Sequence, residues 1–106
     1  MGILTFFNQT NINKGITDFH NTSGALLLDV RSPREYREGH IPGSENIPLQ
    51  DLDEVTFVAE DKDTAIFVYC RSGARSHQAE NDLRYMGYRN VTNIGGIVSY
   101  SGELAY

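Results

Sequence analysis

One short segment, residues 69–76 (YCRSGARS), has the residue types that a nucleophilic site requires. It places the only cysteine of the chain, Cys70, between an apolar strand and a predicted helix. The backbone N–H groups of so short a loop can turn inward, and the helix adds unpaired N–H groups and the positive end of its dipole. Arg71 and Arg75 add positive charge, and Gly73 relieves the steric limits of a tight turn. These features favour the thiolate of Cys70 and predict a nucleophile.

A second interpretation of the same residues has to be weighed. A cysteine at the end of an apolar strand is more often a small buried hydrophobic residue, and an arginine near a helix start is often merely solvated. Here, however, two arginines stand where a positive charge opposes the helix dipole, which indicates a bound anion. We therefore interpret Cys70 as reactive, in a ring of donors that would also stabilise a terminal persulfide anion.

Apolar spacing and turn residues divide the chain into alternating helices and strands. Two continuous apolar runs, residues 25–30 and 65–69, are typical of strands that are covered on both faces. A face of Ala79, Leu83 and Met86 predicts the helix that follows Cys70. The predicted strands are residues 5–7, 25–30, 45–48, 65–69 and 91–94, and the predicted helices are residues 12–20 (capped by Asn11 or Asn13), 33–38, 49–55, 73–86 and 97–104.

This alternation predicts an α/β fold in which a central, mostly parallel sheet has helices on both faces. No repeat or linker-like stretch divides residues 1–106, so we expect a single domain. Ligands of such sheets bind beyond the carboxyl ends of the strands. Cys70 comes at that end of the apolar run 65–69, which is where chemistry is expected.

The composition argues against several classes of function. The chain has 106 residues, a formal net charge of −5 and no basic stripe, so we expect no binding to nucleic acid or to an anionic membrane surface. No apolar run is long enough to cross a bilayer, and residues 1–14 lack the pattern of a signal peptide. A single cysteine allows no intrachain disulfide and fits a reducing compartment, so we expect a cytoplasmic protein. The three histidines, His20, His40 and His77, lack ligand spacing, so no metal site is expected.

Five short segments, in order, resemble the rhodanese domain family over roughly residues 26–104. Residues 27–31 (LLDVR) are similar to the DVR end of a family strand, and residues 35–44 contain EY followed by GHIPGS, close to the family pattern E-[FY]…GHIPGA. Residues 46–49 (NIPL) are similar to the strand that follows. Residues 68–76 match the active-site loop very closely, and the last segment resembles the family's closing element in Gly87-Tyr88, Val91 and Gly95-Gly96.

The resemblance implies a three-layer rhodanese-like sandwich and a thiosulfate sulfurtransferase with ping-pong kinetics. Cys70 would be the nucleophile and would carry sulfane sulfur as a persulfide. The donor would be a small anion such as thiosulfate, or a persulfide, and the acceptor would be cyanide or a thiol, including that of a thioredoxin-like protein. No cofactor is implied. The substrate-binding loop would be formed by the N–H groups of Arg71, Ser72, Gly73, Ala74 and Arg75, with both arginines also attracting the donor.

Other positions in these segments are expected to be structural. We expect four polar residues to hold the loops around the sheet together through salt bridges or hydrogen bonds, namely Asp29, Arg31, Glu35 and His40. The sequence departs from the family pattern at two places, since Tyr100 stands where many members have tryptophan and Ser44 replaces an alanine. We interpret both as packing changes.

Two other functions remain open at this stage. Phosphatases and arsenate reductases on the same fold also use a cysteine loop that closes on an arginine, but in the related cell-cycle phosphatases five residues separate the two. Here four residues separate Cys70 from Arg75, and a smaller cradle suits one sulfur atom better than a phosphate. A phosphatase also needs a general acid, for which His77 is the only suggestion. A non-catalytic binding module would usually have lost the cysteine or Gly73, and both are present.

Overall fold

The computed structural model describes residues 11–106, and its centre is a sheet of parallel strands. The strands are β1 (Leu26–Asp29), β2 (Glu45–Asn46), β3 (Ile66–Cys70) and β4 (Val91–Gly96), in the order β2-β1-β3-β4. β3 lies between β1 and β4, and all of its residues are buried. The chain moves from β1 to β2 on one side and then to β3 on the other, so the topological switch point lies between β1 and β3. The strand predicted at residues 5–7 lies outside the described residues.

Within residues 11–106 three α-helices accompany the sheet, namely α1 (Ile12–His20), α2 (Pro33–Arg37) and α3 (Ala74–Tyr85). Local sequence explains where they begin. The Asn11 side chain accepts hydrogen bonds from the first turn of α1, and Ser32 and Glu35 form a capping box at α2 with Pro33 in the first position. None of the helices within residues 11–106 is long and apolar enough to cross a membrane.

Side chains of alternate strand residues pack into two separate hydrophobic cores, one on each face of the sheet. Leu27, Phe67 and Tyr69 pack with Ile12 and Ile16 of α1. The residues between them face the other side and pack against α3 and a 3-10 segment (Leu49–Phe57), with Leu28, Val30, Val68, Cys70, Leu52, Val55, Ala79 and Leu83 in this core. A sheet with a hydrophobic core on both faces confirms the predicted layered α/β architecture.

The predicted helix at residues 97–104 is wrong. This segment has only one 3-10 turn (Ile97–Ser99), after which Tyr100 is extended and Ala105 forms an antiparallel bridge with His40. Ile97, Tyr100 and Leu104 do stand at helical spacing, but Ser101-Gly102 interrupts the segment, and so short a helix has little stability of its own. The predicted strand at 45–48 is shorter than expected and spans Glu45–Asn46 only, since Pro48 cannot donate to a ladder. The other predicted elements within residues 11–106 are present, with ends that differ by at most two residues.

Candidate active site

Cys70 is the last residue of β3, beside the switch point between β1 and β3. Only 1% of the residue is exposed, and it belongs to the core on the α3 face. Residues 71–73 connect β3 to α3, which begins at Ala74. Gly73 has a φ of 109°, a left-handed conformation that glycine adopts without steric cost. The tight connection expected from the sequence is therefore present, and it places the thiol at the start of a helix.

Three hydrogen-bond contacts surround the sulfur. The N–H of Gly73 lies 3.0 Å from Cys70 Sγ, and the N–H and hydroxyl oxygen of Ser76 each lie 3.4 Å from it. The Ser76 hydroxyl is also 3.1 Å from the Gly73 carbonyl. Because a hydroxyl has one hydrogen, it can serve either acceptor, and a charged thiolate is a stronger acceptor than a carbonyl. The hydrogen bonds to Sγ are therefore stronger when Cys70 is ionised than when it is protonated.

The environment of Cys70 lowers the pKa of its thiol. Burial alone would raise this pKa, because the thiolate loses its hydration. The Ser76 hydroxyl and the N–H groups of Ser76, Gly73 and Ser72 oppose burial by donating to the sulfur, and together they outweigh it. The cysteine is thus both shielded from solvent and biased towards its nucleophilic form.

This bias predicts the pH dependence of alkylation. A lowered pKa means that the thiolate already exists at a pH where an ordinary cysteine is still protonated. We expect the rate of Cys70 alkylation by iodoacetamide, a neutral reagent, to reach half of its plateau at a lower pH than that of a cysteine in an unstructured peptide. Intact mass spectrometry of quenched samples would measure both rates. A midpoint equal to or above that of the peptide would contradict the hydrogen-bond argument.

The end of β4 forms one wall of the loop. A Cβ atom added to Gly96 would lie 2.3 Å from the Arg71 carbonyl oxygen and 2.6 Å from the Ser72 Cα, so only glycine lets the loop rest on this strand. The N–H of Val98 donates to the same Arg71 carbonyl at 3.2 Å. The second glycine of the Gly95-Gly96 pair therefore has a direct structural role, which is to hold the loop in place.

Arg75, which was expected to attract an anionic donor, is occupied by a carboxylate. Its guanidinium donates to both Glu35 oxygens at 2.8 and 3.0 Å, and this pair ties α3 to α2. The hydrogen bond from Arg75 lowers the pKa of Glu35 to about 2, against the opposing effect of burial. The charge of Arg75 is therefore largely compensated in the resting site, and its clearest contact is structural.

Arg71 is placed differently. Its side chain is exposed, and within residues 11–106 no carboxylate lies at salt-bridge distance from it. Arg71 lines a cavity of about 240 Å³, whose other lining residues within the described chain are Arg31, Glu35, Glu38, Gly39, Ile97 and Leu104. Within this cavity Arg31 is held by Asp29, and both glutamates are paired with arginines. Arg71 is thus the cation of this cavity best placed to meet a small anion.

The other predicted loop donors remain available. Ala74 and Arg75 are the first two residues of α3, and N–H groups at this position have no partner within their helix. Neither donates to Sγ within the described structure, whereas the N–H of Ser72 contributes to the lowered pKa of the thiol. The loop therefore uses some donors for the sulfur of Cys70 and leaves others for an atom bound above it.

The structure confirms the supporting role expected for the polar residues around the sheet. Buried Arg31 forms a bidentate pair with Asp29 and also donates to the Gly39 carbonyl at 2.8 Å. His40 stacks on Tyr36 with ring centroids 3.6 Å apart, and its backbone carries the bridge to Ala105. These contacts fix the loops that border the cavity around Arg71.

Sequence reasoning missed Ser76 as a site residue. Ser76 is fully buried and makes two contacts to Sγ, although the predicted site ended at Arg75. A signal was available, because Ser76 precedes Ala79 by three positions and Leu83 by seven and so shares the buried face of α3. A small polar residue on the apolar face of a helix, in the first turn after a strand that ends in cysteine, indicates a hydrogen bond to that cysteine.

Comparison with known proteins agrees with this geometry. The family profile described as the rhodanese-like domain matches residues 11–103. Thiosulfate sulfurtransferase PspE of Escherichia coli is 41% identical over 71 residues, which are 66% of this chain and 68% of that protein. A solved structure of an E. coli rhodanese with anions superposes with a TM-score of 0.72 at 34% identity, covering 76% of this chain and 96% of that one. A tRNA uridine(34) hydroxylase of Buchnera aphidicola is 30% identical over 92% of this chain, which spans only 35% of that protein.

The chain belongs to the rhodanese-like domain family, and its sheet and helices form the rhodanese fold. The resemblance inferred from its five sequence segments is therefore confirmed. Several relatives carry names of sulfurtransferases, among them PspE and a sulfurtransferase of Allochromatium vinosum that is 39% identical over 82 residues.

Proposed function

We propose that the protein is a sulfurtransferase that carries sulfane sulfur on Cys70 as a persulfide. The observation that carries the proposal is the thiol with a lowered pKa at the carboxyl end of β3, inside a loop whose N–H groups converge on the sulfur. Such a loop stabilises negative charge both on Sγ and on one further atom above it. The names of the sulfurtransferase relatives support the same reaction class.

The first half-reaction consumes an anionic donor. The Cys70 thiolate attacks the outer sulfur of thiosulfate, a new S–S bond forms, and the old S–S bond breaks with its electron pair leaving on sulfite. The charge of the outer sulfur on Cys70 then lies where the unpaired N–H groups of Ala74 and Arg75 can donate to it. Arg71 steers the dianion towards the loop.

The second half-reaction returns the cysteine to its thiolate. A nucleophilic acceptor, cyanide or a thiolate, attacks the outer sulfur, and the electron pair of the persulfide bond returns to Cys70 Sγ. No electrons enter or leave the protein in either half-reaction. Because neither half-reaction needs an oxidant or a reductant, the cycle requires no second cysteine.

Steady-state kinetics test the proposal. With thiosulfate and cyanide varied in turn, thiocyanate formation should give the parallel double-reciprocal lines of a ping-pong mechanism. Intersecting lines would require both substrates on the enzyme at once and would contradict a persulfide that exists between them. If neither thiosulfate nor a low-molecular-weight persulfide is turned over, the proposed sulfurtransferase activity is contradicted.

Arg71 should contribute to donor use through its charge. We expect Arg71→Gln to raise the KM for thiosulfate by about three- to tenfold, an effect that shrinks as salt screens the charge. Discharge of the preformed persulfide by 2-mercaptoethanol should change less, because its attacking thiolate carries one negative charge where thiosulfate carries two. Arg37→Gln is the matched control, because Arg37 is also exposed but does not line the cavity. Equal effects of both substitutions would mean that only the overall charge of the protein matters.

A further inference from the structure

Asn13 lies in the first turn of α1, where the sequence leaves it as one of two candidate caps. In the structure the cap is Asn11, whose side-chain oxygen accepts from the N–H groups of Asn13 and Lys14. The Asn13 side chain contacts the other end of the chain instead. Its NH₂ group donates to the Ser99 carbonyl at 3.1 Å, and its oxygen accepts from the N–H and the hydroxyl of Ser101 at 2.9 and 3.2 Å. One side chain therefore holds the backbone at two positions of a distant segment.

Both serines belong to the segment that follows β4, residues 97–101, called here the β4 turn. Its first part is the single 3-10 turn described above. Within this turn the N–H of Val98 donates to the Arg71 carbonyl at 3.2 Å. The β4 turn therefore connects α1 with the residue that directly follows Cys70.

The Arg71 carbonyl belongs to the same peptide unit as the N–H of Ser72. No peptide bond within residues 11–106 is cis, so the two groups point in opposite directions from one rigid plane. A hydrogen bond to the carbonyl on one side therefore fixes the direction of the N–H on the other side. The N–H of Ser72 is one of the donors that lower the pKa of the Cys70 thiol. The contact from Val98 thus helps to keep this donor directed at the sulfur.

Little else in the described part of the chain fixes this peptide unit. Arg71 and Ser72 are both exposed, and the Arg71 carbonyl accepts a hydrogen bond from Val98 alone among the described residues. A rotation of the unit would turn its carbonyl towards the sulfur in place of its N–H. Because a carbonyl oxygen repels a thiolate or a persulfide anion, the orientation of this unit affects the charge that the site can stabilise.

Gly96 leaves the space that the peptide unit occupies. Its φ of −120° and ψ of 139° are extended values that any residue adopts, so the backbone conformation does not require glycine here. The requirement comes from contact, because a Cβ atom would lie 2.3 Å from the Arg71 carbonyl oxygen. The end of β4 and the β4 turn therefore border the same carbonyl.

We infer that Asn13 is a positioning residue of the active site, which keeps the N–H of Ser72 directed at the sulfur by holding the β4 turn in place. Asn13 touches no reacting atom and acts through Val98 and the Arg71–Ser72 peptide unit. This role rests on the proposed function, because the same N–H stabilises the thiolate that begins and ends the sulfur-transfer cycle.

Asn13→Ala removes the three hydrogen bonds to the β4 turn and leaves the Asn11 cap in place. At a pH below the wild-type midpoint, alkylation of Cys70 by iodoacetamide should slow by about two- to fivefold, because one hydrogen bond to a charged acceptor is weakened. The plateau rate at high pH should not fall, since the thiolate is no less nucleophilic. Asn81→Ala, the same change at an exposed position of α3, is the matched control and should match the wild-type profile.

Gly96→Ala acts on the peptide unit without involving α1. Its Cβ atom displaces the Arg71 carbonyl, so the same alkylation rate should fall by more than about fivefold. A folded Gly96→Ala protein that is alkylated like the wild type would show that the peptide unit does not affect the sulfur. That result would overturn the role of Asn13 as well.

The amide of Ser72 gives the specific readout. In the ¹⁵N-labelled full-length protein, ionisation of Cys70 should move the amide proton shifts of Ser72 and Gly73, because both groups donate to the sulfur. In Asn13→Ala the change at Ser72 should be largely lost. The change at Gly73 should be kept, because its N–H belongs to the next peptide unit.

The possible outcomes are distinct. An unchanged Ser72 titration in Asn13→Ala would overturn the positioning role, even with a lower melting temperature, since Asn13 would then only stabilise the fold. Equal losses at Ser72 and Gly73 would overturn it too, because the whole loop would have moved. If the wild-type protein loads no sulfur from thiosulfate or a persulfide while Ser72 responds as expected, the proposed function fails and the positioning role of Asn13 stands.

Discussion

Incubation with thiosulfate should increase the intact mass of the protein by one sulfur atom, about 32 Da, and cyanide should remove this increment. The reason is local, because the chain has a single cysteine and the structure directs hydrogen bonds to its sulfur from Gly73 and Ser76. Cys70→Ser should show no increment and no measurable sulfur transfer. A serine hydroxyl is far less acidic than a thiol and forms no stable bond to sulfane sulfur under these conditions.

The serine variant also separates chemistry from folding. Serine is close to cysteine in size, but it adds a hydroxyl at a position that is only 1% exposed. Ser76 and Gly73 can serve that hydroxyl as they serve the thiol, so we expect the variant to stay folded, with its circular dichroism spectrum unchanged. An increment that persists in folded Cys70→Ser would place the sulfur elsewhere and contradict the role of the cysteine.

The position of Cys70 was predictable because short-range signals agree there. An apolar run predicts the central strand, Gly73 and the polar residues after it predict a turn into a helix, and a parallel sheet brings strand ends together at one edge. The first two of these signals are read within about ten residues of the cysteine, and the third follows from the alternation of helices and strands along the chain. The C-terminal segment lacks such agreement. Its few apolar residues contact loops that are distant in sequence, as in the bridge between Ala105 and His40, and no local pattern encodes that pairing.

The partner of Arg75 illustrates a second limit of sequence reasoning. Charge alone made Arg71 and Arg75 equivalent as donors to an anion, although the structure places only Arg75 against a carboxylate. Glu35 lies 40 positions away and reaches Arg75 because a capping box fixes the start of α2 beside the loop. Which of two nearby arginines is compensated depends on this tertiary contact. Sequence spacing within the loop contains no information about it.

The pair of Arg75 and Glu35 leads to a prediction that a single substitution cannot test. Arg75→Met keeps the length of the side chain but leaves the Glu35 carboxylate unpaired in the wall of the cavity that would receive thiosulfate. A lone carboxylate there repels the dianion and also disfavours the thiolate, while the loop loses its tie to α2. We expect kcat/KM for thiosulfate to fall by about tenfold, which corresponds to about 1.4 kcal/mol.

Adding Glu35→Gln to this variant should restore part of the lost activity. Glutamine removes the repelling charge and can still complete the capping box with Ser32, so the start of α2 should be kept. Glu35→Gln alone should have a smaller effect than Arg75→Met, because glutamine can still accept one hydrogen bond from Arg75. Steady-state kinetics of the four proteins form a double-mutant cycle that isolates the coupling of the pair. If the double variant is no more active than Arg75→Met, then Arg75 acts on the donor directly, as its charge alone suggested, and the pairing with Glu35 has no part in catalysis.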